Sequence, residues 1–135
     1  MPVFEVLTFL FEAGKTAYEV ATGVRKKRQE DREKVSELFT HIGHLLHETY
    51  MELEKGNYPH GHCRQIEIFG EKIKSDFKKQ LGDAEAEKLG NLLIEANQVE
   101  RLQAALNSGE VTKRELIKLE EASGEFLAAS KLILM

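Results

Sequence analysis

The fold is decided by a stretch at the start of the chain. Residues 3–24 read VFEVLTFLFEAGKTAYEVATGV, and residues 25–34 read RKKRQEDREK. In the first of these segments the polar side chains recur every three or four positions, which is the period of an α-helix. They form only a narrow stripe, and apolar side chains cover most of the helix surface. That is too much apolar surface for a helix that rests on a bundle by one side, so this helix needs several neighbouring helices or an external partner.

The same polar spacing continues as far as Lys55, while residues 25–34 contain no apolar side chain. A helix cannot bury one face over ten such positions, so we expect a charged connector between an apolar helix at 3–24 and a second helix at 35–55. One continuous helix over 3–55 would be about 75 Å long. The sequence leaves open whether the connector remains helical.

The rest of the chain predicts three further helices, separated by residues that favour turns. A loop is expected at 56–61, where glycine, asparagine and proline cluster. Gly82 suits the end of one helix and Asp83 the N-cap of the next. Residues 107–109 end that helix, and residues 112–115 have the spacing of a capping box. The predicted helices, each with an apolar stripe, span 61–81, 84–107 and 113–134.

Composition supports the same fold class. Alanine, glutamate, lysine, leucine and arginine together make up about half of the 135 residues, as in helical proteins. We therefore predict an all-α, antiparallel bundle of four to five helices in one domain, 1–135. Residues 35–134 form its core, and the additional apolar helix at 3–24 completes the bundle or mediates self-association. The layout is similar in shape to the small helical adaptor bundles at the N-termini of multidomain signalling and cell-death effectors, although no motif is shared.

Several classes of protein are disfavoured. The single cysteine, Cys63, cannot form an internal disulfide, which suits a reducing cytoplasm. A net charge of −4 gives no general attraction to nucleic acid. A membrane-spanning helix needs about 20 mostly apolar residues, and the charge-free apolar run at 6–11 is far shorter. We expect a cytoplasmic protein that binds no nucleic acid.

The histidines are the first candidate site. His41, His44 and His47 recur every three residues, and the loop that follows contains His60, His62 and Cys63. Imidazoles, carboxylates and thiolates at such spacings can bind zinc. The helical histidines, however, lie nearly opposite the apolar face of their helix, so we interpret them as solvated or interface side chains and as weak metal candidates. No cofactor is predicted.

Two alternatives remain open. Exposed histidines on a bundle helix resemble the architecture of histidine phosphotransfer modules, but the lysine and glycine that usually follow the histidine are absent after His44 and His47. The basic residues 25–28, with the helix at 3–24, could contact a membrane surface. Acidic residues at 30, 31 and 33 oppose that attraction, and the polar stripe of the helix is net acidic, so membrane association is disfavoured.

The preferred function is a non-enzymatic module for protein–protein interaction or oligomerisation. It would act by self-association, or by binding a protein partner, through residues 3–24. The side chains expected at that surface are Phe4, Leu7, Phe9, Leu10, Phe11 and Tyr18.

Overall fold

A computed structural model describes residues 4–96 and 101–135, with the side chains of Phe4 and His60 left out. These residues form seven helices and no strand, which confirms the all-α class. The helices are α1 (Phe4–Val24), α2 (Gln29–Glu54), α3 (His60–Asp76), α4 (Lys78–Leu81), α5 (Asp83–Glu95), α6 (Leu102–Ser108) and α7 (Ile117–Leu134).

The segment 3–55 contains two helices and not one rod. Only residues 25–28 lie between α1 and α2, so the expected connector 25–34 is shorter than predicted and residues 29–34 belong to α2. The first turn of a helix needs no apolar side chain, and Glu30 and Asp31 there complement the helix dipole. The guanidinium of Arg32 also donates a hydrogen bond to the carbonyl oxygen of Ile133, 3.0 Å away, which fixes the start of α2 to the end of α7.

Two of the three other predicted helices are interrupted. The helix predicted over 61–81 breaks at Phe77, whose φ of −119° and ψ of 11° lie outside the helical region, and both Phe77 and Leu81 are buried. The helix predicted over 84–107 is divided into α5 and α6, and its residues 97–100 lie outside the described part. Gly82, with φ of +92°, occupies the N-cap position expected for Asp83, which is instead the first residue of α5.

The predicted capping box at 112–115 is present. The backbone N–H of Glu115 donates to the Thr112 hydroxyl at 3.3 Å, and the N–H of Thr112 donates to the Glu115 carboxylate at 3.1 Å. The α-helix nevertheless begins at Ile117 and not at 113. Residues 113–116 form a tighter turn, in which the backbone N–H groups of residues 115–119 each donate to the carbonyl oxygen three residues earlier.

The five longer helices form a closed ring in the order α1, α5, α3, α2, α7, each packed on two neighbours. Contacts at both ends show that α2 and α7 are antiparallel, since Arg32 meets Ile133 and His47 meets Glu120. The helices α2 and α3 are antiparallel as well, because Lys34 donates to the carbonyl oxygen of Asp76. At the other end of the same pair, His62 lies 3.7 Å from Glu48.

In a ring of five helices, not every neighbouring pair can be antiparallel. The parallel pair is α1 and α7. The last turn of α1 lines a cleft with Lys79 and Glu85, so it lies beside the start of α5 and runs antiparallel to it. It therefore runs parallel to α7. We call the end of the bundle that contains the turn 25–28 the 25–28 end, and the opposite end, which contains the loop after α2, the 55–59 end.

Glycines permit the closest helix contacts. A Cβ atom on Gly70 of α3 would lie 2.7 Å from the carbonyl oxygen of Gly90 on α5, and one on Gly90 would lie 2.7 Å from that of Gly70. Gly70 lies within the apolar stripe of its helix, where it permits the close approach of α5, whereas no sequence pattern accounts for Gly90. On the α1–α7 side, a Cβ on Gly14 would lie 3.0 Å from the Cα of Ala122.

Candidate functional site

The predicted interaction residues of α1 are divided between the core and the surface. Leu7 and Leu10 are fully buried, because the inner face of α1 packs against both α5 and α7. They are part of the chain's own core and have no surface to offer a partner. Phe9 is half-buried against the same core, and the side chain of Phe4 lies outside the described part. Phe11 and Tyr18 lie on the outer side of α1, where Tyr18 is 45% exposed.

Phe11 and Tyr18 belong to a surface shared with α7. They are seven residues apart on α1, with the exposed Lys15 between them, and the Lys15 ammonium lies 5.8 Å from the centre of the Phe11 ring. The contact of Gly14 with Ala122 and Glu125 places α7 alongside. On the outer face of α7 next to this point, Glu121, Gly124 and Ala128 are exposed and Glu125 is half-buried. We call the combined surface the α1–α7 outer face, and its members are Phe11, Lys15, Tyr18, Glu121, Gly124, Glu125 and Ala128.

This surface is smooth on its α7 side. A Cβ atom on Gly124 would have no atom within 4 Å, and Ala128 is exposed one turn further along. The surface combines an aromatic row, small side chains, one cation and two carboxylates. Such a mixture suits contact with another protein surface, where aromatic side chains are enriched and charges lie at the rim.

The helical histidines lie on the opposite side of α2 from its apolar face. His41 and His44 line a groove of about 380 Å³ between α2 and α3, together with Glu48, Gln65 and Phe69. His47 lies instead at the α2–α7 boundary, with its Nδ1 atom 2.6 Å from a carboxylate oxygen of Glu120. The histidines are thus divided between two surfaces of α2.

The loop candidates are also dispersed. His62 is near Glu48, while Cys63 is buried and forms no disulfide, and the side chain of His60 is outside the described part. Among residues 4–96 and 101–135, no group of three or more histidine, cysteine, aspartate or glutamate side chains is placed to hold a metal ion. The geometry of the described residues therefore gives no support to a metal site.

The structure reveals a row of buried hydroxyls between α2 and α7 that the sequence reasoning missed. The Thr40 and Ser130 hydroxyl oxygens are 2.6 Å apart, and the Ser123 hydroxyl donates to the carbonyl oxygen of Gly43 at 2.7 Å. Together with Ser36 these residues fix the register of the two helices. The signal was present in the spacing, since positions 36, 40 and 43 lie on one helix face, as do 123 and 130.

One ionisable group near the 55–59 end is perturbed. The Tyr50 hydroxyl donates a hydrogen bond to Glu54 at 3.0 Å. This bond raises the pKa of Tyr50 above its usual value of 10.0, and desolvation and the negative charges of Glu54 and Glu120 act in the same direction. The electrostatic potential around Tyr50 is therefore negative.

The basic residues 25–28 are exposed at the turn between α1 and α2. Within the described ranges, none of the helices has the length and apolar character needed to cross a membrane. The chain matches no protein-family model, no curated protein and no solved structure, so the functional argument depends on the geometry of its own residues.

Proposed function

We propose that this chain is a protein–protein interaction module that self-associates through the α1–α7 outer face. The observation that carries the proposal is the pair of aromatic side chains on the outer side of α1, where Tyr18 is exposed and Phe11 is half-buried although the inner side of the same helix is fully buried. Aromatic side chains contribute large contact areas to interfaces at a low cost in conformational entropy.

The distribution of charged side chains on the α1–α7 outer face supports a second copy of the chain as the partner that binds there. The α1 side of the surface contributes Lys15, and the α7 side contributes Glu121 and Glu125. In a twofold dimer the same surface meets itself, so Lys15 of each copy can approach a carboxylate of the other. The small residues Gly124 and Ala128 leave room for the tyrosine of the second copy.

The experiment is light scattering of the full chain over a range of concentrations. Removing residues 1–24 is unsuitable, because it would remove α1 from the hydrophobic core of the bundle. We would instead compare Tyr18→Glu with Ile68→Glu, which alters a residue of similar exposure (46%) on α3. At high salt, which screens contacts between exposed charges, the expected result is that the wild type and Ile68→Glu reach the mass of a dimer, whereas Tyr18→Glu remains monomeric with unchanged circular dichroism. A monomeric wild type, or equal masses for the two variants, would overturn the proposal.

A second candidate function is histidine phosphotransfer at α2. It is supported by the exposure of His41 and His44 in a groove that also contains Glu48 and Gln65. Incubation with acetyl phosphate, followed by mass spectrometry, tests it. An acid-labile phosphate on the wild type that is lost in His44→Gln or His41→Gln would support this function, and an unmodified wild type would remove it.

A further inference from the structure

The charges of the bundle are distributed unevenly along its axis. The half that includes the 25–28 end contains 13 basic and 10 acidic side chains. The described part of the other half contains 6 basic and 12 acidic side chains. The overall charge of −4 therefore conceals one basic end and one acidic end. The half that includes the 25–28 end consists of residues 15–41, 69–89 and 126–135. The described part of the other half consists of residues 4–14, 42–68, 90–96 and 101–125.

The 25–28 end presents six exposed cations from two distant parts of the sequence. Arg25, Lys26, Lys27 and Arg28 form the turn after α1, and Lys78 and Lys79 belong to α4, which contacts both α1 and α2. Lys27 and Lys79 line the same cleft of about 430 Å³. Within the described residues, none of the six forms an ion pair. We call these six residues the basic patch.

Several carboxylates near the basic patch already have hydrogen-bond partners. Asp31 accepts a hydrogen bond from the Gln80 amide at 3.2 Å, and Glu33 accepts one from the Gln29 amide at 2.8 Å. Glu30 is exposed, and Glu19 and Glu85 line the cleft. A hydrogen bond from a neutral amide leaves the carboxylate charged, so the excess of cations here is that of the whole half, 13 basic against 10 acidic side chains.

The other end contains carboxylates on α2 and α7, the two antiparallel helices. Glu48 and Glu54 are exposed on α2, and the half-buried Glu120 of α7 lies at the α2–α7 boundary, with a carboxylate oxygen 2.6 Å from Nδ1 of His47. We call these three residues the acidic patch. Glu54 also accepts the hydrogen bond from the Tyr50 hydroxyl at 3.0 Å, which places this carboxylate beside the α2 surface. Met51, between Glu48 and Glu54 in the sequence and 38% exposed, adds apolar surface.

We propose that the basic patch of one copy docks on the acidic patch of a second copy. Because the two patches are at opposite ends of the bundle, the contact is head-to-tail, and its repetition produces a chain of copies or a closed ring. The proposal rests on the proposed function in its choice of a second copy as partner, but it uses residues outside the α1–α7 outer face. Exposed ion pairs are individually weak and are screened by salt, so this contact must depend strongly on ionic strength.

Sedimentation velocity of the full chain at low and high salt tests the proposal. The basic-patch variant Arg25→Glu/Lys27→Glu and the acidic-patch variant Glu48→Lys/Glu54→Lys change exposed side chains, so both are expected to fold. The control is Lys88→Glu/Glu95→Lys, at exposed positions of α5 outside both patches. We expect salt-sensitive oligomers for the wild type and the control, and loss of these oligomers in each patch variant. Mixing the two patch variants should restore association, because the mixture contains one intact basic patch and one intact acidic patch.

Two results would overturn the proposal. One is association that is indifferent to both patch variants but is lost in Tyr18→Glu, which would leave the proposed function standing and remove the head-to-tail contact. The other is a wild type that remains monomeric at low salt, whether or not it sediments with phosphatidylserine vesicles. Sedimentation with vesicles would identify the basic patch as a membrane contact. Conversely, salt-sensitive oligomers that persist in Tyr18→Glu would support the head-to-tail contact, and a Tyr18→Glu variant that is still dimeric at high salt would refute the α1–α7 outer face.

Discussion

Ser36 and Ser130 exchange hydrogen bonds across the boundary between α2 and α7. The Ser130 hydroxyl donates to the carbonyl oxygen of Ser36 at 2.8 Å, and the Ser36 hydroxyl donates to that of Ser130 at 3.1 Å. Both residues are buried, so each hydroxyl satisfies its hydrogen bonding within the protein. Such reciprocal bonds hold the two helices in one register, because a shift by one residue would leave buried polar groups without partners.

Replacing Ser130 with alanine should therefore destabilise the fold. We expect Ser130→Ala to lower the free energy of unfolding by about 1–3 kcal/mol, because Thr40 and Ser36 lose buried partners. Urea denaturation measures the effect. The matched control is Ser75→Ala at an exposed position on α3, which should change the free energy by less than about 0.5 kcal/mol. Equal effects of the two substitutions would contradict the register argument.

Two glycine substitutions should act in opposite directions. Gly70→Ala places a Cβ atom 2.7 Å from a backbone oxygen of α5, and separating the helices should cost about 1–3 kcal/mol. Gly124→Ala introduces a methyl group into open space within α7, so it should stabilise the protein by up to about 1 kcal/mol through helix propensity. Thermal unfolding of both variants tests the pair. A stabilised Gly70→Ala would show that α3 and α5 are not in close contact.

A third prediction concerns the place of α1 in the core. Leu10 is completely buried, so Leu10→Ala should cost about 2–5 kcal/mol. The same chemical change at Leu134, which is 50% exposed, should cost less than about 0.5 kcal/mol. Chemical denaturation distinguishes them. If Leu10→Ala were as mild as Leu134→Ala, α1 would not be an integral part of the folded domain.

The fourth prediction concerns the titration of Tyr50. Its pKa is raised in the folded state, so the neutral phenol is favoured there, and the associated stability is complete below the unfolded pKa of about 10. That stability is lost as the pH rises through the folded value. Glu54→Gln should lower the pKa of Tyr50, because it removes the charge and the strong acceptor. An NMR titration of the tyrosine Cζ shifts measures this change. Glu48→Gln, whose carboxylate is not among the causes of the shift, is the control, and equal shifts in both variants would contradict the assignment.

Much of the fold could be predicted from the sequence because periodicity and capping are local. The capping box at 112–115 and the turn at Gly109 follow from residue types within one turn of helix. The limits of α2 did not follow, because the helix start at Gln29 depends on tertiary contacts of Arg32 and Lys34. The break at Phe77 also depends on burial against distant helices, which no local pattern contains.

The candidate site could be predicted only in part, for a related reason. The sequence indicated that α1 carries too much apolar surface for one-sided packing, and it left both a core and a partner possible. It could not predict that Leu10 is buried and Tyr18 is exposed, because that difference depends on where α5 and α7 lie. The basic and acidic ends of the bundle could not be predicted from the sequence either, since residues 25–28 and 78–79 are far apart in the sequence.

The position of α7 between α1 and α2 has a consequence for how the chain folds during synthesis. The first two helices both pack against α7, which is synthesised after the other helices of the bundle. The parts of their apolar faces that α7 covers therefore stay exposed while the intervening helices emerge. Contacts between such distant segments form slowly, because a long loop must close, at a cost in entropy, before the contacts can stabilise the fold. The nascent chain is therefore most prone to aggregation, and most dependent on chaperones, just before α7 leaves the ribosome.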